Sequence, residues 1–141
     1  MEGDPGKSIY RAMLEENGMP ELGASASKLG IRRNKDIVPD HSNTVYRPAF
    51  RPGGKNGLSC SRSIATLPLF ALPVAWGGKN DRTVIWEIEE RDLSSELVAG
   101  DDATPGLNEH VSIGPSSTMP YDDYVRAIEA TRPKWKKVTK N

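Results

Sequence analysis

Four prolines cut the middle of this chain into short pieces. Pro48 and Pro52 precede a glycine-rich loop, and Pro68 and Pro73 fall inside the most apolar run, Ile64 to Trp76. Proline has no amide proton and a fixed φ, so it ends helix interiors and is confined to the edges of sheets. The same punctuation continues elsewhere, with thirteen glycines and eleven prolines among 141 residues. Such a chain must build its core from short elements joined by many turns. Its length supports one core, and the reading is a single domain over residues 1–141, with residues 1–7 and 134–141 as loosely ordered ends. Mostly short strands with one good helix make the expected class α+β.

The hydrophobic pattern places the elements. Ser8 to Met13 reads as a first strand, with Ile9 and Arg11 on one face and Tyr10 and Ala12 on the other. Asp36 to Val38 and Thr44 to Arg47 flank the polar turn Asp40–Asn43 in a hairpin pattern. Arg82 to Glu90 is the clearest strand, β-branched and aromatic. There Val84, Trp86 and Ile88 share one face, and Ile85, Glu87 and Glu89 share the other. His110 to Ile113 is a brief strand that sets His110 and Ser112 side by side. Tyr121, Tyr124, Val125 and Ile128 recur at helical spacing and predict a helix from about Pro120 to Thr131, halted by Pro133. A shorter helix is expected from Asp92 to Val98, capped by Asp92 and stopped by Gly100. Ser25 or Ser27 opens a helical turn that Gly30 closes. The apolar run Leu67 to Trp76 is expected to plug the core, Phe70 included. The basic tail from Lys134 reads as a solvated end from which Trp135 packs back.

The candidate stretch for function is Gly53 to Ser63. Gly53, Gly54 and Gly57 allow positive φ and close approach of the backbone to another group. After them Leu58 and Cys60 face one way along a strand, and Ser59 and Ser61 the other. Two adjacent hydroxyls beside a glycine loop suit a small ligand bearing phosphate or ribose. The same pattern also suits a hairpin whose polar face meets water.

Composition narrows the classes. Nineteen basic and nineteen acidic residues leave no net charge, which argues against a wholesale nucleic-acid binder. The single cysteine, Cys60, cannot form an intrachain disulfide and points to a reducing compartment. With no paired histidine nearby in sequence, it reads as a small buried apolar residue rather than a nucleophile. The N-terminal segment has no apolar signal region and no run is long enough to span a membrane, so the expected location is the cytoplasm of the producing or a target cell. Delivery by a secretion system would then need no cleaved signal. No metal-ligand spacing, Walker loop or dinucleotide glycine fingerprint occurs.

Placed in order, these pieces resemble the ADP-ribosyltransferase-like toxins, a family that includes a small cytotoxic effector of bacterial type VI secretion. The likeness runs over nearly the whole chain. It is carried by Ser8–Arg11, Leu22–Ala26, Leu29–Arg32, Asp36–Ile37, Gly57–Ser61, Leu67–Pro68, His110–Ile113, Met119, and Ala130–Arg132 before Trp135. The resemblance implies two small packed sheets with a few short helices and a C-terminal helix, arranged around a cleft for NAD. It implies a toxin that transfers ADP-ribose to an acceptor or hydrolyses NAD, and that meets a cognate immunity protein. Carried onto this sequence, Arg11, Tyr10, Ser59 and Ser61 would bind NAD, and His110, Glu89 and Glu87 would be the catalytic set. The sequence departs from the closer toxin pattern after the His110 strand, where Gly114 follows Ile113, so the carboxylate falls to Glu89 as a candidate.

Two other readings stay open. A degenerate member would keep the cleft and bind a nucleotide or partner without turnover. A nuclease-like toxin would use His41, His110 and basic clusters such as Arg32, Arg33 and Lys35.

Overall fold

Pairing in the computed structural model, which describes residues 7–22, 31, 33, 36–46, 57–101 and 109–139, is antiparallel between every two neighbouring strands. Six strands form the main sheet: β1 (Ser8–Met13), β5 (Leu58–Ser61), β6 (Val84–Glu89), β7 (Leu97–Asp101), β8 (His110–Pro115) and β10 (Lys136–Val138), in the order β10-β6-β1-β5-β8-β7. Two minor pairs complete the strands: β2 (Glu15–Glu16) with β3 (Met19–Pro20), and β4 (Thr44–Val45) with β9 (Met119–Pro120). The β2–β3 turn is made by Asn17 and Gly18, both at positive φ, as a two-residue hairpin loop requires. One α-helix, α1 (Tyr121–Glu129), packs on the sheet. The chain is α+β, as the sequence predicts. No described helix is long and apolar enough to cross a membrane.

Alternation along the strands gives the sheet two unlike faces. Ile9, Met13, Leu58, Cys60, Trp86, Ile88, Val111 and Ile113 point to one face and join the buried side of α1 in the main core. The helix contributes Tyr121, Tyr124, Ala127 and Ile128, and Asp122 and Asp123 in its first turn oppose the positive end of its dipole. Tyr124 does more than fill space. Its hydroxyl donates to the Ile113 carbonyl at 2.6 Å and accepts from the Leu58 amide at 3.0 Å, closing the end of the β5–β8 ladder. Burial pushes that phenol well above its usual range. Gly57, at φ +138, lies so close to Ile113 that a Cβ would meet its carbonyl oxygen at 2.2 Å. That is the close approach expected of this glycine; Gly53 and Gly54 lie outside the described residues.

The opposite face carries a second, smaller cluster. Leu67, Leu72 and Ile85 are buried there, with Tyr10, Ile64, Trp76 and Val138 packed against them. The segment that covers this half is clasped to itself. Lys79 and Asn80 donate from their amides to the Leu69 and Leu72 carbonyls, and Thr83 donates from its hydroxyl to Ala71.

Four expectations need correction. Phe70 is not core: it is 62% exposed, as Leu69 and Val74 also are at over half. Pro68 and Pro73 bend the run so that Leu67, Ala71 and Leu72 turn inward and the residues between them turn out. The helix expected from Asp92 to Val98 is instead a 3-10 turn at Glu90–Asp92 followed by strand β7. Seven residues are too few to sustain a helix alone, and pairing from Leu97↔Pro115 to Asp101↔Val111 fixes the extended form. The tail is not a loose end through Val138. Trp135 is buried, with its indole N–H on the Thr131 hydroxyl, and β10 covers the outer edge of β6 with Lys136 opposite Glu87. The Asp40–Asn43 turn forms, but β4 pairs with β9 rather than with the segment before the turn. The helical turn expected between Ser25 and Gly30 lies outside the described residues.

Candidate functional site

The main sheet has one weak seam. β1 pairs with β6 along its whole length, from Ser8↔Glu89 to Met13↔Val84. Toward β5 it keeps a single registered pair, Tyr10↔Ser61. Beyond that pair a side chain takes over from the backbone. The Arg11 guanidinium donates through Nη1 to the Ser59 carbonyl at 2.5 Å. The Ser59 hydroxyl in turn shares a 2.7 Å hydrogen bond with His110 Nε2. His110 stands opposite Ser61 in the β5–β8 register and reaches Ser59 diagonally. Arg11, Ser59 and His110, separated by up to 99 positions in the chain, are therefore linked across three neighbouring strands. All three are half-buried, and the Arg11 Nε is enclosed by the fold.

The other candidates take different places. Ser61 is buried, donates to the Ser63 carbonyl at 2.7 Å and is bonded to the Thr66 hydroxyl. Its hydroxyl fixes the turn at Ile64–Thr66 rather than facing a ligand. Tyr10 packs with the second apolar cluster. Glu87 accepts a hydrogen bond from the Ser8 hydroxyl, and Glu89 pairs with Arg91 at 3.0 Å. Both carboxylates share the sheet face of Ser59 and His110, as alternation requires. Yet β6 lies three strand intervals from β8, which at sheet spacing is about 14 Å. The structure thus links Arg11, Ser59 and His110 at the seam and leaves Glu87 and Glu89 outside that group. Arg11 reaches the seam from the face of Ile9 and Met13, opposite to the one that carries the Ser59 and His110 side chains, and meets Ser59 at its backbone carbonyl.

Cys60 sits on the core side of the same strand, buried. Burial pushes its thiol up to about 12, with Asp36 adding to the rise and Arg11 and Arg62 opposing it. At neutral pH it is a protonated apolar group, not a nucleophile. His41 is exposed in the Asp40–Asn43 turn. Among the described residues no cluster of His, Cys, Asp or Glu is arranged to hold a metal ion.

Two features escape sequence reasoning. Asp36 is buried, and its charge acts on Cys60, Tyr121 and Tyr124. Arg62, next after β5, lies between Glu90 and Asp101 at 2.9 Å from each. Neither carries a local signal, because an acid before Ile37 or an arginine after a strand is ordinary surface chemistry. Only the tertiary fold buries Asp36 and sets Arg62 between its two carboxylates.

The polar group has a definite chemical character. A guanidinium suits a diphosphate or carboxylate, and a hydroxyl and an imidazole can orient a sugar. The set fits an anionic ligand rich in hydroxyls. No protein-family model, curated protein or solved structure matches this chain.

Proposed function

We propose that the chain binds NAD at the seam between β1 and β5 and acts as a toxin that transfers its ADP-ribose to an acceptor, water included. The observation that carries this reading is the hydrogen-bonded line from Arg11 through Ser59 to His110. It joins three of the positions that the resemblance assigns to the dinucleotide and its chemistry. Arg11, which reaches the seam from the core side, would hold the diphosphate there, and Ser59 would orient the ribose on the open face. The bond from ribose C1′ to the nicotinamide nitrogen breaks through an oxocarbenium-like state, and nicotinamide leaves neutral. A bond forms from C1′ to the acceptor, whose proton passes to His110 acting as a general base. Division of the sheet at this seam suits the ADP-ribosyltransferase-like fold. A cognate immunity protein that blocks the seam belongs to the same proposal.

A binding module without turnover is the second reading, and the placement of Glu87 and Glu89 favours it. A carboxylate that hydrogen-bonds the ribose 2′-hydroxyl stabilises developing positive charge, and neither glutamate is beside His110. The two readings separate in cells. Express the chain and its Arg11→Ala, Ser59→Ala and His110→Ala variants from an inducible promoter, and follow growth and the NAD pool. Each substitution should slow NAD loss about ten- to a hundredfold, as expected when a contact of roughly 1.5–3 kcal/mol is lost. Toxicity without NAD loss or any ADP-ribosylated product supports the binding module. Full toxicity in all three variants removes the seam from the account.

A further inference from the structure

The seam is held by more than its one backbone pair. Arg62 is the residue directly after β5, and its bonds run in three directions. Its amide donates to the Glu109 carbonyl at 2.7 Å, one residue before His110. Its Nε donates to Asp101 Oδ1 at 2.9 Å, at the end of β7. Its Nη1 lies 2.9 Å from Glu90 Oε1, an ion pair whose angles fall short of an aligned hydrogen bond. Glu90 belongs to the other half of the sheet: it follows β6, and its amide is bonded to the Lys7 carbonyl just before β1.

The guanidinium therefore ties the β10-β6-β1 half to the β5-β8-β7 half beside the Tyr10↔Ser61 pair. Its side chain is only 13% exposed, while those of Glu90 and Asp101 are 37% and 58% exposed, so the fold holds the cation in place and water reaches the pairs from the carboxylate side. Taking away the cation would leave two carboxylates facing each other across the seam, and like charges repel.

We propose that Arg62 is a positioning residue that sets the width of the seam, and through it the alignment of Arg11 with Ser59 and His110. The catalytic consequence rests on the NAD reading above; the structural consequence does not. Arg62 touches neither Ser59 nor His110 through its side chain, and it acts through the distance between the two halves.

The test uses the full chain with Arg62→Met, which keeps much of the stem without the charge, and Arg62→Lys. Amide hydrogen exchange followed by NMR reads the seam without any ligand. In Arg62→Met the Tyr10 and Ser61 amides should exchange at least about tenfold faster, while amides within the β1–β6 and β7–β8 pairings keep their protection. Arg62→Lys should restore most of the difference. If NAD is turned over, kcat should fall more than KM rises, because misalignment penalises the transition state most. Unchanged exchange at Tyr10 and Ser61 overturns the proposal, and so does a uniform rise across the sheet, which marks global loss of stability. Faster seam exchange in a protein that neither binds nor consumes NAD upholds the role of Arg62 and rejects the NAD reading.

Discussion

The two faces of the six-stranded sheet are built from the same strands and serve opposite ends. On one face nearly every inward residue is apolar and packs with α1, with Arg11 between Ile9 and Met13 as the polar exception in β1. On the other, the clasped segment from Ile64 to Thr83 covers only the half made by β10, β6 and β1. The remaining half presents Ser59 and His110 at the seam. The difference shows how a small domain accommodates a polar group on its sheet. One face is sufficient for the core, so the second can hold polar side chains at little cost to stability, provided they satisfy each other. The seam fits the same logic: where the backbone ladder stops, Arg11 and Arg62 supply the contacts between the two halves.

The comparison predicts that substitutions on the core face cost stability and those on the open face do not. The largest loss should come from Trp86→Ala, which empties a fully buried site and removes the indole bond to the Met13 carbonyl. About 3–5 kcal/mol is expected in urea unfolding. Tyr124→Phe keeps the packing but strands the Leu58 amide and the Ile113 carbonyl, so about 1–3 kcal/mol should go. A loss smaller than that of an exposed-site control would show that the hydroxyl is not closing the ladder.

Cys60 supplies a pH test of the same face. Its folded thiol holds its proton to about 12, against an ordinary value of 9.0. Between those values the unfolded chain releases a proton that the folded chain keeps. Stability from the buried thiol is therefore fully present below about pH 9 and declines as pH rises toward 12. About 1 kcal/mol should be lost by pH 10. The thiol should also resist a disulfide reagent at pH 8 until the chain is unfolded; rapid labelling of the native protein would contradict its burial. The smallest effect is expected on the exposed tip: Phe70→Ala should change stability by no more than about 0.5 kcal/mol.

Much of this arrangement is legible in local sequence. Period-two alternation puts Ser59 opposite Cys60 and groups Glu87 with Glu89, and period 3.6 gives α1 its buried side. What is not local is not legible. Phe70 belongs to the most apolar run of the chain, yet its exposure depends on the bends at two prolines and on the amides of Lys79 and Asn80, nine and ten residues on. Leu97 to Asp101 becomes a strand because β8 is there to pair with it. Glu89 matches a catalytic pattern in sequence, but strand order sets it apart from His110. For Arg62 the ion pairs exist only once Glu90 and Asp101, 28 and 39 residues away, are folded beside it.

NAD binding at the seam can be tested by titrating isotopically labelled protein with NAD under NMR. Saturable shifts should concentrate at Arg11, Ser59, Ser61 and His110, with the affinity weakened at least about tenfold by Arg11→Ala. The core-face amides of Trp86 and Val111 should move far less. Absence of shifts at millimolar NAD, or shifts centred on His41 or on Glu87 and Glu89 with the seam unmoved, would contradict it.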